Sequence, residues 1–141
     1  VLAESCTGGL VAATLTRVPG VSAHLAGSMV VYQESSKMRW LGVAEETLQQ
    51  FTAVSAPGAH QMATGVLRAT PQADLSVSVT GHLGPDAPEG FDGVVFIGFA
   101  RRETPAKTWQ LKLNASKRIG RQQEATDAVL RTILSQLQRS G

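Results

Sequence analysis

The sequence of 141 residues contains one cysteine, few aromatic side chains and little net charge. The single cysteine, Cys6, excludes an internal disulfide and a cysteine-based metal site, and it favours a reducing, cytoplasmic compartment. Aromatic residues make up 5% of the chain, which leaves little material for stacking against nucleic-acid bases. A formal net charge of +2 is too small to indicate nucleic acid as a partner, so we expect none.

Long apolar runs are also missing. The longest, Val94 to Ala100, is interrupted by Gly98 and falls far short of the roughly 18 residues that span a bilayer. No pair among the three histidines has the spacing of metal ligands. We therefore expect neither membrane attachment nor a bound metal.

The composition, with 43% hydrophobic and 17% charged residues, is typical of a globular protein, and the length favours one domain over residues 1–141. The opening Val1-Leu2 has the pattern of a strand that began earlier. We therefore expect either that residues are missing before it or that the domain comes from a longer chain.

Strand and helix patterns alternate through the first half of the chain, and two adjacent strands and a helix follow. This order predicts an α/β domain with helices on both faces of a mixed sheet. The predicted strands are "VLAES", "SMVVYQ", "DLSVSVT", "GVVFIGFA" and "KTWQLKLN". The predicted helices are "LVAATLTRV", Glu34 to Leu41, "AEETLQQF", a helix capped by Ser55 that runs to Ala69, and Arg118 to Arg139.

Sites in such sheets gather where the end of a strand leads into the start of a helix. Three segments have that position, namely 5–9, 32–37 and 80–92. In the first of them, "ESCTGG", Ser5 and Cys6 stand directly before a glycine-rich turn and a helix start, where free N–H groups stabilise an oxyanion. The pattern indicates a nucleophile, although a tight turn with a small polar cap explains the same residues.

The second segment, "YQESSK", brings Tyr32 and Lys37 to the end of one strand. Burial or a nearby cation would lower the pKa of Lys37 enough for it to act as a base, and a Ser–Lys pair is one known way to activate a serine. An ordinary solvated lysine on a helix is the alternative interpretation.

The third segment, "TGHLGP", has the composition of a loop that cradles a phosphate through backbone N–H groups, and equally that of a plain reverse turn. A basic cluster, Lys117, Arg118 and Arg121, stands at the start of the last helix. Cations there oppose the helix dipole, which indicates either an anion to be bound or a solvated basic patch.

These motifs in this order resemble the CinA carboxy-terminal domain, a family named for competence/damage-inducible protein A. The resemblance rests on "AESCTGG", a tyrosine and lysine about thirty residues later, "LGV", "AVS", "VTG..GP", a glycine-led apolar strand and an arginine in the last helix. It covers nearly the whole chain. It implies a three-layer α/β/α domain with a mixed, mostly parallel sheet, and a nicotinamide-nucleotide amidase that uses no metal and no organic cofactor.

The resemblance also implies roles for individual residues. Ser5, and not Cys6, is the expected nucleophile that attacks the carboxamide of nicotinamide mononucleotide, with Lys37 as its base. Tyr32 is expected to orient the lysine or to shuttle a proton.

The remaining roles concern the bound substrate. Backbone N–H groups from Thr7, Gly8 and Gly9 are expected to hold the oxyanion. Thr80, Gly81 and Arg121 are expected to bind ribose and phosphate. Members of the family and the long closing helix together predict a homo-oligomer.

The chain departs from the family pattern near the substrate. Glu34 replaces an amide and is expected to raise the pKa of Lys37, which weakens it as a base. Asp86, Glu89 and Asp92 are expected to repel a phosphate. A second hypothesis is therefore an altered or inactive paralogue that serves as a nucleotide-binding or regulatory domain, and a third is a thiol enzyme that uses the cysteine.

Overall fold

The structure is a computed structural model that describes residues 1–139. Ser140 and Gly141, which the predicted domain includes, lie outside the described residues. The described chain forms five strands and five α-helices, with a 3-10 helix at Val21–Ala23. The elements are β1 (Leu2–Glu4), α1 (Leu10–Leu15), β2 (Ser28–Val30), α2 (Glu34–Leu41), α3 (Glu45–Phe51), α4 (Ala56–Ala69), β3 (Leu75–Gly81), β4 (Val94–Arg101), β5 (Thr104–Lys112) and α5 (Arg118–Gln138).

The strands form one mixed sheet in the order β2-β1-β3-β4-β5. Strand β1 pairs in parallel with β2 and β3, whereas β3–β4 and β4–β5 are antiparallel. The mixed α/β sheet is confirmed, with two parallel and two antiparallel pairings where mostly parallel ones were expected. The reason is that β3, β4 and β5 follow one another without a crossover helix, and such connections produce antiparallel neighbours.

Helices cover both faces of the sheet, as the alternation predicted. One face of β3, through Val77 and Val79, packs with Val11 of α1 and with Ala125 and Val129 of α5. The opposite face packs against α2, α3 and α4. The parallel strands β1, β2 and β3 therefore end at one edge of the sheet, and the loops that follow them meet there.

Small residues bring α4 close to the sheet. The hydroxyls of Ser76 and Ser78 on β3 donate to the carbonyls of Ala63 and Ala59 on α4, each at 2.6 Å. A Cβ on Gly98 of β4 would collide with the Ala59 carbonyl and lie 2.6 Å from the Ser78 Oγ. These contacts give α4 and the centre of the sheet a rigid packing that supports the loops above them.

Local patterns predicted most elements well. Helix α2 ends at Leu41, and Gly42, with a φ of 70°, forms its C-cap. Ser55 caps α4 by accepting from the amide of Gly58 at 3.0 Å. Helix α1 ends at Leu15, three residues earlier than predicted, and a turn leads from it to Pro19. Among residues 1–139, the structure has no helix that is both long and apolar enough to cross a bilayer.

Candidate active site

The three loops that were predicted to carry a site meet at the carboxyl edge of the parallel strands. A cavity of about 220 Å³ lies between them. Its lining includes Ser5 from the first loop, Tyr32 and Lys37 from the second, Thr80 from the third, and Arg118 from the start of α5. Residues separated by more than a hundred positions in the sequence therefore share one cavity.

Ser5 and Lys37 form the centre of this cavity. Lys37 Nζ donates to Ser5 Oγ at 2.9 Å, to the Val31 carbonyl at 2.7 Å and to the Tyr32 carbonyl at 3.1 Å. Carbonyl oxygens only accept hydrogen bonds, so a neutral amine keeps its two N–H groups on them and turns its lone pair toward the serine hydroxyl. The two carbonyls therefore hold the amine of Lys37 beside the hydroxyl of Ser5.

Burial makes Lys37 a usable base. Lys37 is 2% exposed, and desolvation lowers its pKa from the ordinary 10.5 to about 8. Glu34 acts in the opposite direction, because a nearby negative charge favours the ammonium form. The expectation that Glu34 raises this pKa has the correct sign, but desolvation is the larger effect.

Glu4, which the sequence analysis overlooked, organises the first loop from inside the fold. Its carboxylate is 1% exposed and accepts from the hydroxyls of Thr7 at 2.7 Å and Ser28 at 2.8 Å. It also accepts from the amides of Val11 at 2.9 Å and Ala12 at 3.1 Å. These bonds fix the turn between β1 and α1. An acidic residue inside an apolar strand pattern was the available signal, since a buried carboxylate needs partners.

The turn after Ser5 needs its two glycines because Gly8 and Gly9 have φ values of 60° and 100°. The amide of Gly8 donates to the Ser5 carbonyl at 3.0 Å and is therefore part of the turn. Within residues 1–139, the amides of Thr7 and Gly9 have no hydrogen-bond partner. Thr7, Gly8 and Gly9 are absent from the described lining of the cavity, so their role as oxyanion donors stays a prediction.

Tyr32 contacts Lys37 through its main-chain carbonyl. Its phenol ring is 54% exposed at the rim of the cavity, and its hydroxyl accepts from Arg118 Nη2 at 2.6 Å. Within the described chain, the phenol makes no hydrogen bond to the lysine amine. Tyr32 therefore orients the lysine through its backbone in this structure.

Thr80 and Gly81 form part of the cavity wall. The Thr80 hydroxyl donates to the Ala53 carbonyl at 3.2 Å. A Cβ on Gly81 would lie 3.0 Å from the Val94 carbonyl and would collide with the Val95 side chain, so β4 leaves no space for a larger residue. Packing accounts for the identity of both residues, and their role in ribose binding stays a prediction.

Arg121 has a different position from the one predicted. It is buried, and its guanidinium forms a two-pronged ion pair with Asp92 at 2.7 and 2.8 Å. Further bonds go to the carbonyls of Leu83 and Ala115. Arg121 is absent from the described lining of the cavity, and a phosphate would reach it only by breaking the ion pair. The same pair neutralises Asp92 and, chiefly through the hydrogen bond from Arg121, lowers the pKa of Asp92.

Cys6 is buried in the core beside α1 and α5. Desolvation raises the pKa of its thiol to about 12, so the reactive thiolate is scarce at neutral pH. Among residues 1–139, no group of three or more His, Cys, Asp or Glu side chains could hold a metal ion.

Comparison with known proteins places this geometry in a family. The sequence profile described as the CinA C-terminal domain matches residues 1–137. The nicotinamide-nucleotide amidohydrolase PncC of Enterobacter agglomerans is 42% identical over 125 residues, which cover 87% of this chain and 76% of that protein. The crystal structure of competence damage-inducible protein A from Klebsiella pneumoniae superposes with a TM-score of 0.90 at 29% identity, covering 96% of this chain and 84% of the other.

Some relatives are much longer. A CinA-like protein of Endomicrobium trichonymphae is 41% identical over 139 residues, which cover 97% of this chain but 31% of that protein. The chain therefore spans less than a third of that relative and corresponds to one part of that longer polypeptide. The profile match and these identities show that the chain belongs to the CinA C-terminal domain family.

Proposed function

We propose that this protein is an amidohydrolase that converts nicotinamide mononucleotide and water to nicotinate mononucleotide and ammonia. The observation that carries the proposal is the 2.9 Å hydrogen bond between buried Lys37 and Ser5. It lies at the edge of the sheet where α/β proteins bind their ligands. The name of the Enterobacter relative supports the reaction and the substrate.

In the first step, the neutral amine of Lys37 removes the hydroxyl proton of Ser5 while Oγ attacks the amide carbon. The C=O π electrons move to oxygen and form an oxyanion. We assign the amides of Thr7 and Gly9, which have no hydrogen-bond partner within residues 1–139, as the donors to this oxyanion.

In the second step, the Lys37 ammonium gives its proton to the amide nitrogen as the C–N bond breaks, and ammonia leaves. The nicotinoyl group stays on Ser5 as an ester. A water molecule then attacks that ester with Lys37 again as base, which releases the carboxylic acid and restores the hydroxyl. This sequence requires neither a metal nor an organic cofactor.

The hypothesis of an inactive paralogue rested on the added acidic residues. Two observations favour turnover instead. The pKa of Lys37 stays near 8 despite Glu34, and Asp92 is neutralised by its ion pair with Arg121. Asp86 and Glu89 are exposed, where solvent and salt screen their charges.

The third hypothesis, a thiol enzyme, conflicts with the raised pKa of Cys6. A Cys6→Ser variant should therefore keep most of the activity. If the Cys6→Ser variant lost all activity while remaining folded, the thiol of Cys6 would replace Ser5 as the proposed nucleophile.

The test is ammonia release by the purified protein supplied with nicotinamide mononucleotide. We expect turnover, and we expect losses of at least about 1,000-fold in Ser5→Ala and Lys37→Ala, since each removes a member of the reacting pair. Ser35→Ala is the matched control, because Ser35 is an exposed serine on the helix that carries Lys37. Undiminished activity in Ser5→Ala would exclude the mechanism.

A further inference from the structure

Gln122 connects helix α5 to the turn that follows Ser5. Its Nε2 donates to the Cys6 carbonyl at 3.2 Å. A Cβ on Gly8 would lie 3.9 Å from the same nitrogen, so the side-chain amide lies against the turn. Within the described chain, this is the hydrogen bond that the Cys6 carbonyl accepts. The reaction steps proposed above give Gln122 no role.

The carbonyl of Cys6 and the N–H of Thr7 belong to one planar, trans peptide group. Its oxygen and its hydrogen point in opposite directions, so a hydrogen bond on the oxygen also fixes the direction of the N–H. The hydroxyl of Thr7 donates to Glu4 at 2.7 Å and anchors the same residue through its side chain. The Thr7 amide is therefore held from two sides, while its own N–H has no partner within residues 1–139.

The hydrogen bond from Gln122 also changes the chemistry of that N–H. A donor at the carbonyl oxygen draws electron density from the peptide nitrogen, and linked hydrogen bonds strengthen one another by roughly 10–30% per bond. The N–H of Thr7 is therefore a stronger donor with Gln122 in place than without it. Cys6 lines the cavity next to Ser5, so this peptide group adjoins the place where an oxyanion would form.

The neighbouring glutamine, Gln123, has a local partner instead. Its Nε2 donates to Asp127 Oδ1 at 3.2 Å, about one turn further along the same helix, and both residues are exposed. Gln122 is half-buried and directs its amide to a carbonyl of another segment. Because the two side chains are chemically identical, a comparison of the two positions isolates the effect of the contact with the turn.

We propose that Gln122 is a positioning residue that orients and polarises the Cys6–Thr7 peptide group, so that the N–H of Thr7 stabilises the oxyanion. This inference rests on the proposed amidase function and on the oxyanion donors assigned there. The oxyanion forms only as the reaction proceeds, and the carboxamide of the bound substrate gains little from the contact. Gln122 should therefore affect kcat and leave KM nearly unchanged.

The experiment compares Gln122→Met with the wild type on nicotinamide mononucleotide. Methionine has a similar length but no N–H donor. Removal of a whole oxyanion donor costs about 100- to 1,000-fold in kcat, and Gln122 acts on such a donor indirectly, so we expect a loss of about 10-fold. KM should change by less than about twofold. Gln123→Met is the matched control and should resemble the wild type.

A second substrate, thionicotinamide mononucleotide, tests the oxyanion directly. It differs from the first only by sulfur in place of the reacting carbonyl oxygen, and sulfur accepts hydrogen bonds weakly. Ammonia leaves in both reactions. The ratio of kcat/KM for the amide to that for the thioamide should therefore fall about fivefold in Gln122→Met and stay constant in Gln123→Met. Equal losses on both substrates, or full activity of Gln122→Met on the amide, would overturn the proposal.

The proposed function and this inference fail separately. If the wild type releases ammonia from neither substrate, the proposed function fails, and the nitrogen chemical shift of the Thr7 amide decides the role of Gln122. That shift follows the polarisation of the peptide group, so it should move in Gln122→Met and keep its position in Gln123→Met. An unchanged Thr7 shift in Gln122→Met would overturn the inference.

Discussion

Burial has opposite chemical consequences for two side chains of the candidate site. It lowers the pKa of Lys37 to about 8 and raises that of Cys6 to about 12. Desolvation disfavours the charged form of both groups. For the cysteine this form is the reactive thiolate, whereas for the lysine it is the ammonium, which cannot accept a proton. The same environment therefore favours the neutral form of both side chains, which agrees with the proposed roles of Lys37 as base and Ser5 as nucleophile.

The first prediction concerns pH. Because only the neutral amine accepts a proton, kcat/KM should rise about tenfold per pH unit and level off above about pH 8. The pH–rate profile measures this directly. Glu34→Gln should shift the midpoint to lower pH, since the carboxylate raises the pKa of Lys37. A profile that falls through this range would contradict the assignment of Lys37 as base.

The second prediction concerns stability. Lys37→Met should raise the free energy of unfolding near pH 7, because it removes a buried ammonium. Between about pH 8 and pH 10.5 the unfolded wild type binds a proton that the native state does not, so wild-type stability rises with pH. The difference in the free energy of unfolding between Lys37→Met and the wild type should therefore decrease from about pH 8 to pH 10.5. Urea titrations at several pH values test this, with the exposed Lys117→Met as the control.

At the scale of elements, the site depends on connections that hold strand ends and helix starts together. The carboxylate of Glu4 joins the end of β1 to the start of α1 and, through Ser28, to β2. The Arg121–Asp92 pair joins α5 to the loop that follows β3. Each connection crosses from one element to another, so its loss should affect the shape of the cavity.

The third prediction is that Glu4→Gln destabilises the protein. The amide nitrogen of glutamine cannot accept a hydrogen bond, so at least one donor among Thr7, Ser28 and the two α1 amides loses its partner. We expect a loss of about 1–3 kcal/mol in the free energy of unfolding, and lower kcat. Urea denaturation measures the first. Glu46→Gln, on the exposed side of α3, should be neutral, and equal stability of both variants would refute the role of Glu4.

The fourth prediction concerns Arg121→Lys. Lysine cannot replace the two-pronged contact with Asp92 and the bonds to the Leu83 and Ala115 carbonyls, so the thermal midpoint should fall. The lowered pKa of Asp92 means that its stabilising contribution is present above about pH 4 and is lost as pH falls through that lowered value. The difference between wild type and variant should shrink in acid. Thermal scans at neutral and acid pH provide the measurement.

At the scale of the whole molecule, the periodicity of the sequence predicted the architecture. The site was harder to predict, because its residues lie far apart in the sequence. Alternating and helical patterns are local, so they placed all five strands and five α-helices of the described chain in the correct order. Geometry across loops is not local. Nothing near Arg118 or Arg121 in the sequence shows which guanidinium lines the cavity, because the answer depends on a loop more than thirty positions away.

The resemblance compensated for part of this limit. It named Ser5 and Lys37, and the structure places them at 2.9 Å, although their roles stay predictions. It also assigned ribose and phosphate binding to Arg121, which forms an ion pair with Asp92 in this structure. The predicted cytoplasmic location likewise stays a prediction.

The fifth prediction concerns assembly. Helix α5 exposes Ile119, Leu134 and Leu137. We expect a homo-oligomer, so light scattering should give a multiple of the 14.9 kDa chain mass. Leu134→Glu should reduce that mass if the distal part of α5 forms the contact. A wild-type mass of 14.9 kDa at micromolar concentration would contradict the prediction.

The sequence separations within the cavity have a consequence for folding. Lys37 and Ser5 are 32 positions apart, Arg118 and Tyr32 are 86 apart, and Gln122 donates to the Cys6 carbonyl across 116. Contacts of such high order close large loops and form slowly compared with local helices. A partly folded chain that lacks α5 has no complete cavity. Recovery of turnover during refolding would therefore report the docking of α5. We expect it later than the recovery of the helical circular dichroism signal.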